Sequence, residues 1–363
     1  MKELSIAIQA KIPVLVWGSP GTGKTSYIKK LGEALDLPVE IEIGSVREPS
    51  DFGFPILKDG AVEKAAPAWA KRLIKAGKGI LFLDELSTSP PAVQAAMLRI
   101  VLERVVGDTL LPETIAIVSA ANPPEEAAGG WDLAAPMANR FCHLDWNVDV
   151  SSWLDGFLSD WPEPDIAILP SNWRNKIPQA KAKVAGFINS RRQILNVVPE
   201  SDTQKGKAWP SSRSWEMAAI LLAAAESVSD EDAAIRLVSG CVGTAAGIEF
   251  AAFLKNLDLP DPEVLLKEPQ NFVLPNRGDI AYAALSSVVA AVASKPTKER
   301  WVAAWVILSN AAAQGGKDIV IPAAKSLVQN QAFSKKGYLN RPFPPQVDAF
   351  LNEIFAFIKK AKI

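Results

Sequence analysis

The residues with the clearest chemical potential form a glycine-rich stretch near the start of the chain. They fit the pattern G-x-x-x-x-G-K-[ST], in which backbone N–H groups wrap phosphate oxygens and the N-terminus of the following helix adds its positive end. Glycines are needed because a Cβ would block close approach to the anion. Lys24 would reach the β and γ oxygens of a nucleotide, and Thr25 would ligate Mg²⁺. The predicted nucleotide-binding residues are Gly18, Ser19, Pro20, Gly21, Thr22, Gly23, Lys24, Thr25 and the adjoining Ser26. The alternative is an ordinary glycine-rich turn.

Two carboxylates follow a continuous apolar run at 80–83, and an amide follows another at 114–121. Such runs are typical of buried parallel strands, whose carboxyl ends bind ligands in α/β sheets. Asp84 would complete the Mg²⁺ shell, and Glu85 would polarise the attacking water. Asn122 would lie beside Asp84 if the two strands are neighbours, and its amide could bind the γ-phosphate and orient the water. Alone, Asp84-Glu85 could be a simple strand exit and Asn122 a turn former. With the phosphate loop, they predict ATP hydrolysis.

The elements that must position these side chains alternate short apolar runs with amphipathic segments over the first 146 residues. This alternation predicts an α/β fold with βαβ units around a parallel sheet. Asp-Gly and Gly-Asp pairs also indicate two hairpins, at 55–64 and 104–111. The predicted strands cover 14–17, 39–43, 80–83, 114–120 and 141–146, and the predicted helices cover 25–35 and 92–102.

Beyond the sheet region the chain becomes rich in Trp and Pro, then rich in Ala with a helical period. Four regions are therefore predicted: a nucleotide-binding α/β core at 1–146, a junction at 147–178, a helical lid at 179–265 and a helical C-terminal region at 266–363. The helices expected after the junction cover 179–197, 213–228, 231–255, 279–294, 298–313, 320–330 and 345–361.

Composition excludes several other classes of protein. A formal net charge of −1 shows no basic excess for holding duplex nucleic acid or an anionic membrane by bulk charge, although local patches remain possible. Two cysteines and one histidine cannot build a disulfide framework or a His/Cys zinc cage. No charge-free apolar stretch reaches the ~20 residues of a membrane span, and no signal peptide opens the chain. A cytoplasmic protein is expected.

The order and spacing of these motifs resemble those of an AAA+ ATPase, and their detail resembles the MoxR group with its NorQ/CbbQ-type relatives. The resemblance covers about residues 1–260. It implies a P-loop core with a hairpin inserted in helix 2, followed by a helical lid. The stretches that carry it, besides the phosphate loop, are GSVREPSDFG at 44–53, APAWA at 66–70, LDELS at 83–87, QAAML at 94–98, LER at 102–104, ANP at 121–123, NRF at 139–141 and WPSSRSW at 209–215.

This resemblance implies further roles. Arg140 resembles the arginine finger delivered to a neighbour's γ-phosphate, and Arg213 resembles the second-sensor arginine of the lid. An arginine suits both roles, because its planar guanidinium group is permanently charged and can bind phosphate through two hydrogen bonds. Surface ion pairs are the alternative for each. The family often has Asp-Arg-Phe where this chain has Asn139, so the residue that orients Arg140 could differ. Arg47 and Arg104 are further interface candidates. The resemblance also implies a homo-oligomeric ring, a hexamer, and a partner bearing a von Willebrand factor A domain.

Other aromatic and basic residues leave alternatives open. Phe52 and Phe54 could face a central pore or pack under the hairpin. The tryptophans at 131–173 suit packing at the junction or a binding surface. Cys142 and His143 are most simply strand residues.

Three functions fit these features. The favoured one is a ring-forming ATPase that remodels, activates or matures a partner protein. The alternative is a nucleic-acid motor or loader, in which Arg191-Arg192 and Lys335-Lys336 could line a groove. A nucleotide-gated scaffold without turnover is the third, and Glu85 argues against it.

Overall fold

The computed structural model describes residues 1–123, 126, 133, 135–257, 259–329, 345, 347–351 and 354. Trp131, Lys335-Lys336 and most of the helix predicted at 345–361 lie outside these residues. The chain forms two compact units. The first contains 1–173 and 196–248, and the second contains 174–195 and 249–363. The division into four regions at 146, 178 and 265 stays a prediction.

The strands all lie in the first unit, within the described part of the chain. They are β1 (Val14–Trp17), β2 (Val39–Ile43), β3 (Phe54–Lys58), β4 (Ala61–Ala65), β5 (Gly79–Asp84), β6 (Val105–Val106), β7 (Thr109–Leu110), β8 (Ile115–Ala121) and β9 (Cys142–Asp145).

The helices are α1 (Lys2–Ala10), α2 (Lys24–Ala34), α3 (Ala68–Ala76), α4 (Pro91–Glu103), α5 (Ala135–Ala138), α6 (Val150–Leu158), α7 (Ile177–Ser190), α8 (Asp202–Lys205), α9 (Ser212–Ser227), α10 (Glu231–Val242), α11 (Thr244–Lys255), α12 (Pro262–Lys267), α13 (Gly278–Ser294), α14 (Lys298–Ala313) and α15 (Lys317–Gln329). None of these helices is long and apolar enough to cross a lipid bilayer.

The central sheet has five parallel strands in the order β2-β5-β8-β1-β9. Trp17 pairs with Ala121, and Leu83 pairs with Ser119, so the carboxyl ends of β1, β8 and β5 meet at one edge. The predicted strands and the α/β class are confirmed. The three central strands are almost entirely buried, because helices cover both faces of a parallel sheet.

Both predicted hairpins are present. β3 pairs with β4 around Asp59-Gly60, and β6 pairs with β7 around Gly107-Asp108. The positive φ angles of Asp59, Gly60 and Gly107 are those that tight turns require.

Helix α1 was not predicted from the sequence. Its residues Leu4, Ile6, Ala7 and Ile8 are completely buried, so apolar residues surround the helix instead of forming a stripe. A helix buried on all sides lacks the period-3.6 pattern that identifies surface helices.

The prediction of one helix at 231–255 is wrong, because the chain forms α10 and α11 with a break at Gly243. Gly243 has a φ of +86°, and a Cβ there would lie 2.7 Å from the carbonyl oxygen of Ala208. Only glycine suits this conformation, and it ends α10.

Among its described residues the second unit contains helices and no strand, and it has its own core. Trp301 and Trp305 of α14 are fully buried and meet edge to face, with 5.5 Å between ring centroids. Leu285 and Val288 of α13 and Val320 of α15 complete the centre of this cluster. The helices predicted at 279–294, 298–313 and 320–330 are confirmed as α13, α14 and α15 to within three residues.

Candidate phosphate-binding and hydrolysis site

The glycine-rich loop joins β1 to α2 at the carboxyl edge of the sheet, as the motif predicts. Gly21 and Gly23 adopt φ angles of +74° and +86°, and no atom lies within 4 Å of the position that a Cβ would take on either one. The Gly18 N–H donates to the Ala121 carbonyl (3.1 Å), which anchors the loop to β8. The loop is therefore an open cradle of backbone N–H groups at a helix N-terminus, a geometry suited to phosphate.

Lys24 begins α2 and is buried at the base of this cradle. Its Nζ donates to the carbonyl oxygens of Gly18 (2.6 Å) and Ser19 (2.8 Å). Burial lowers the pKa of its ammonium group, and the carboxylates, Asp84 first among them, oppose this shift. The ammonium is thus held within the loop, where it can meet an anion.

Thr25 and Asp84 meet across the sheet edge. The Thr25 hydroxyl donates to Asp84 Oδ2 (2.7 Å), and Asp84 Oδ1 accepts from the N–H of Glu85 (2.9 Å). A hydroxyl and a carboxylate held side by side form the oxygen donor set that Mg²⁺ prefers. The two predicted metal ligands therefore lie together.

Glu85 has a φ of +59°, which is uncommon for a residue with a side chain and often marks a functional position. Its carboxylate accepts a hydrogen bond from the Ser45 hydroxyl. Ser45 was included only as part of a motif match. Its contact could not be found from spacing, because 40 residues separate the partners.

Asn122 follows β8, which lies between β1 and β5, so it stands between the phosphate loop and Asp84 along the sheet edge. Its backbone N–H donates to the Ser87 hydroxyl (3.1 Å), and that hydroxyl donates back to the Asn122 carbonyl (3.3 Å). This exchange fixes the residue next to the segment that carries Glu85. The strands that precede Asp84 and Asn122 are neighbours, as the prediction requires, and the role of Asn122 stays a prediction.

Arg140 and Arg213 lie near one another in the first unit. Burial lowers the pKa of the Arg140 guanidinium, and the positive charge of Arg213 acts in the same direction. Arg140 donates to the carbonyl of Pro136, four residues before it. Two arginines of like charge in one region suit the binding of an anion between or beside them.

Asn139 explains the difference from the Asp-Arg-Phe pattern. Its Nδ2 donates to the carbonyl of Trp209 (3.0 Å), and its Oδ1 accepts from the hydroxyl of Ser211 (2.6 Å). Ser211 also caps α9 by accepting from the N–H of Ser214 (3.1 Å). The amide thus ties the Arg140 segment to the start of the helix that carries Arg213, and a carboxylate could not donate to Trp209.

We expect Asn139→Asp to destabilise the protein by about 2–3 kcal/mol, because the substitution loses a donor and places a carboxylate in a buried site against a carbonyl oxygen. Denaturant unfolding monitored by circular dichroism measures the loss. Asn147→Asp, at an exposed position, is the matched control and should change the unfolding free energy by less than about 0.5 kcal/mol. Equal effects of the two substitutions would contradict the stabilising role of the Asn139 hydrogen bonds to Trp209 and Ser211.

The two other interface candidates make contacts within their own chain. The Arg104 guanidinium donates to the carbonyls of Pro112 (2.7 Å) and Ile115, and burial lowers its pKa. Arg47 Nε lies 2.8 Å from Oε2 of the buried Glu42; burial raises the pKa of that carboxyl, and Arg47 opposes the shift. Both arginines therefore stabilise loops of the first unit.

Trp146 is a contact of the phosphate loop that the sequence did not indicate. Its Nε1 donates to the carbonyl of Thr22 (3.1 Å), and its ring meets Tyr27 of α2 edge to face at 4.9 Å. A Cβ on Gly18 would lie only 2.9 Å from the Cβ of Trp146, so the first glycine of the motif also provides room for this indole.

His143 is a neutral strand residue. Its Nδ1 accepts from the indole N–H of Trp17 (2.9 Å), and its Nε2 lies 2.8 Å from the Ala138 carbonyl, so Nε2 carries the proton. Burial lowers its pKa to about 4. Cys142 is a buried neighbour in β9.

The lowered pKa of His143 predicts a loss of stability in mild acid. Below pH 6.5 the unfolded chain binds a proton that the folded chain rejects, so stability falls as pH drops from 6.5 towards 4, by up to about 3 kcal/mol. Since the chain has one histidine, its imidazole NMR signals should stay constant from pH 8 to 5 in the folded protein and titrate near 6.5 in urea. A folded-state midpoint near 6.5 would contradict the assigned hydrogen bonds.

The β3-β4 hairpin is exposed along both strands. Phe54 and Leu57 are 65% and 78% exposed, whereas Phe52, before the hairpin, is 5% exposed. The two phenylalanines therefore divide between the two alternatives left open by the sequence: Phe52 packs in the core, and Phe54 faces solvent.

The parallel sheet with its glycine-rich loop and the helices that follow define an α/β P-loop nucleotide-binding core followed by a helical region. Residues 1–128 match the family model described as the Sigma-54 interaction domain. For this part of the chain, the fold, the loop and this match support an ATPase domain of the AAA+ type.

Two curated proteins and one solved structure are similar to parts of the chain. The pathogenicity locus probable regulatory protein WtsA of Pantoea stewartii subsp. stewartii is 28% identical over 125 residues, which are 31% of this chain and 38% of that protein. The Psp operon transcriptional activator of Escherichia coli (strain K12) is 33% identical over 122 residues, 30% and 37% of the two chains. A crystallised candidate ATPase from Cytophaga hutchinsonii aligns with 70% of this chain and 88% of its own, at 18% identity and a TM-score of 0.44. The alignments span less than two-fifths of the curated relatives.

Proposed function

We propose that this chain is a self-assembling ATPase that couples Mg-ATP hydrolysis to the remodelling, activation or maturation of a partner protein. The observation that carries this proposal is the meeting of Lys24, the Thr25–Asp84 hydrogen bond and Glu85 at one edge of the sheet. Phosphoryl transfer to water needs this combination of phosphate binding, metal binding and a carboxylate for water.

The residues present fit both ATP and Mg²⁺. The space beside Gly21 and Gly23 admits phosphate oxygens, and Thr25 and Asp84 would hold the metal ion. Mg²⁺, when bound, neutralises negative charge on the phosphate oxygens.

Each side chain then has a distinct task. Lys24 would donate its hydrogen bonds to phosphate oxygens instead of the loop carbonyls. The negative charge of the phosphate would offset the cost of burying its ammonium group. Glu85, once released by Ser45, orients and polarises the attacking water. Asn122 holds that water or the γ-phosphate by its amide.

Arg140 would act on the nucleotide of a neighbouring copy, as its resemblance to an arginine finger implies, and Arg213, which lies near it, would sense the same phosphate. Self-assembly is thus part of the proposal. We propose more specifically that the assembly is a hexamer of the MoxR type and that it acts in the cytoplasm. A partner with a von Willebrand factor A domain is proposed on the same resemblance.

The exposed hairpin is suited to contact a partner protein. The two hairpins are hydrogen bonded: the N–H of Asp108 donates to the Lys64 carbonyl (2.9 Å), and the N–H of Gly107 donates to the carbonyl of Phe52 (2.8 Å), just before the first hairpin. Arg99 of α4 also donates to the Gly107 carbonyl (3.0 Å). Since α4 follows the Glu85 segment, movement at the hydrolysis site would reach Phe54 and Leu57 through these bonds.

Phosphate release from ATP, measured over a range of protein concentrations with and without Mg²⁺, tests the proposal. We expect a Mg²⁺-dependent rate per chain that rises with concentration until assembly is complete. A rate per chain that does not change with concentration would contradict action in trans. Tight ATP binding with no phosphate release at any concentration would favour the nucleotide-gated scaffold.

A nucleic-acid motor or loader is the second candidate, and one observation favours it. The second unit carries 20 Lys and Arg against 10 Asp and Glu, so the neutral total charge conceals a basic half. One of the two curated relatives, the Psp operon protein of Escherichia coli, is a transcriptional activator by name. Stimulation of ATP turnover by duplex DNA that weakens with added salt would support this candidate, and unchanged turnover would exclude it.

A further inference from the structure

Helix α6 presents its apolar side to solvent. Its apolar residues recur at the i, i+3, i+4, i+7 and i+8 spacing of a helix stripe, which normally faces a core. Here Phe157 and Leu158 are 64% and 80% exposed, and Gly156 is the buried residue of the helix. The exposed stripe consists of Val150, Trp153, Leu154, Phe157 and Leu158.

The stripe is held rigidly and close to the phosphate loop. Trp153 stacks on Phe157 (4.8 Å between centroids), and the edge of Trp161 covers Gly156. The carbonyl of Trp161 accepts from Lys30 of α2 (3.0 Å), and Trp146, shortly before α6, binds the loop at Thr22. Both ends of this segment are therefore attached to the elements that would hold nucleotide.

The exposed area is large enough for an interface. Six large apolar side chains, the stripe and Trp161, expose on the order of 600 Å² together, the upper end for one patch on a soluble monomer. A standard interface takes about 800 Å² from each partner. With a rim of polar residues, this surface meets that size.

The charge around the stripe restricts the partner. Residues 141–173 contain six acidic residues and no Lys or Arg. An apolar stripe carried on such an acidic segment disfavours nucleic acid and anionic lipid, and it favours a basic protein surface with apolar content.

The chain itself carries such a surface. Residues 174–192, which include α7, contain six Lys and Arg and no Asp or Glu, and Leu195 is exposed just after them. The same opposition holds for the whole units, because the first unit has 19 Lys and Arg against 30 Asp and Glu, while the second has 20 against 10.

We propose that the apolar, acidic face of α6 in one copy docks on the basic segment 174–192 of a second copy. Each copy then offers both surfaces, so the contact is head to tail and can close a ring. This inference rests on the self-assembly in the proposed function and specifies which surfaces assemble. It places the interface beside the phosphate loop, through Trp146.

Two charge-reversed variants test the pairing directly. The first carries Asp155→Lys, Asp160→Lys and Glu163→Lys, and the second carries Arg174→Glu, Lys181→Glu and Arg192→Glu; all six positions are exposed. In sedimentation velocity runs at low salt, each variant alone should need at least about tenfold more protein to assemble than the original chain. A 1:1 mixture should assemble again, because each basic α6 then meets an acidic segment 174–192.

Three outcomes would overturn the proposal. They are assembly of either reversed variant at the original concentration, a mixture of folded variants that stays unassembled, and assembly of the original chain that requires duplex DNA. Circular dichroism reports the folding of each variant.

A neutral-to-charged substitution gives a second readout. Leu158→Asp should weaken assembly at least about tenfold, while Val273→Asp, at a similarly exposed position of the second unit, should leave it unchanged. Arg140→Ala is expected to lose turnover yet assemble normally, so failure of the docking surface and failure of the hydrolysis mechanism can be told apart.

Discussion

Replacing Glu85 with glutamine is expected to lower the ATP turnover rate by about 100-fold or more while ATP binding is retained. Glutamine keeps the size of the side chain and can still contact Ser45, but it cannot take a proton from water. The hydrogen bonds of Lys24 and of the Thr25–Asp84 pair, which would bind Mg-ATP, do not involve the Glu85 carboxylate. Single-turnover phosphate release and titration with a fluorescent ATP analogue measure the two properties separately.

Glu33→Gln is the matched control, because Glu33 is an exposed carboxylate of α2, outside the site. Its turnover should equal that of the original chain. If Glu85→Gln hydrolysed ATP at the original rate, water activation would have to come from another group, and the assigned role of Glu85 would be wrong.

Replacing Arg140 with alanine is expected to lower turnover by about 1000-fold, the lower range for an arginine that stabilises a phosphoryl-transfer transition state. The guanidinium is partly buried beside Arg213 and keeps its charge at neutral pH in spite of its lowered pKa. Because the proposed target is a neighbour's nucleotide, ATP affinity and assembly should change little. Steady-state turnover at saturating protein concentration is the measurement.

Arg72→Ala serves as its control, since Arg72 is an exposed arginine paired with Glu40. Loss of activity in both variants would indicate a general sensitivity to positive charge, and retained activity in Arg140→Ala would remove the trans arginine from the mechanism.

Much of the fold was predictable because local signals agreed with one another. The apolar runs before Gly18, Asp84 and Asn122 are continuous, as in buried strands, and each ends where a polar side chain is required at the sheet edge. Asp59-Gly60 placed the hairpin turn because few other residue pairs accept its φ angles.

The remaining features depend on contacts between residues distant in sequence. Ser45 reaches Glu85, Trp146 reaches Thr22, and Asn139 reaches Trp209 and Ser211, and none of these pairs has a recognisable spacing. The tryptophans at 131–173, which the sequence left open, have different surroundings: Trp146 contacts the phosphate loop, while Trp153 and Trp161 belong to an exposed surface.

Bulk charge was a poor guide for a different reason. A net charge of −1 argued against binding to nucleic acid or an anionic membrane by bulk charge. That total is the sum of an acidic unit and a basic unit, and the boundaries of the two units are known only from the contacts within the fold. Likewise, the apolar residues of α6 have the spacing of a helix stripe that normally faces a core, and only the structure shows that this stripe is exposed.

The central claim is that ATP is hydrolysed between copies, by Glu85 of one chain and Arg140 of the next. Mixing the Glu85→Gln and Arg140→Ala variants tests it most directly, because each is expected to be inactive alone. In a random 1:1 mixture, about a quarter of the contacts join a chain with Glu85 to a chain with Arg140, so about a quarter of the original turnover should return. A mixture that assembles but remains as inactive as its components would contradict the account.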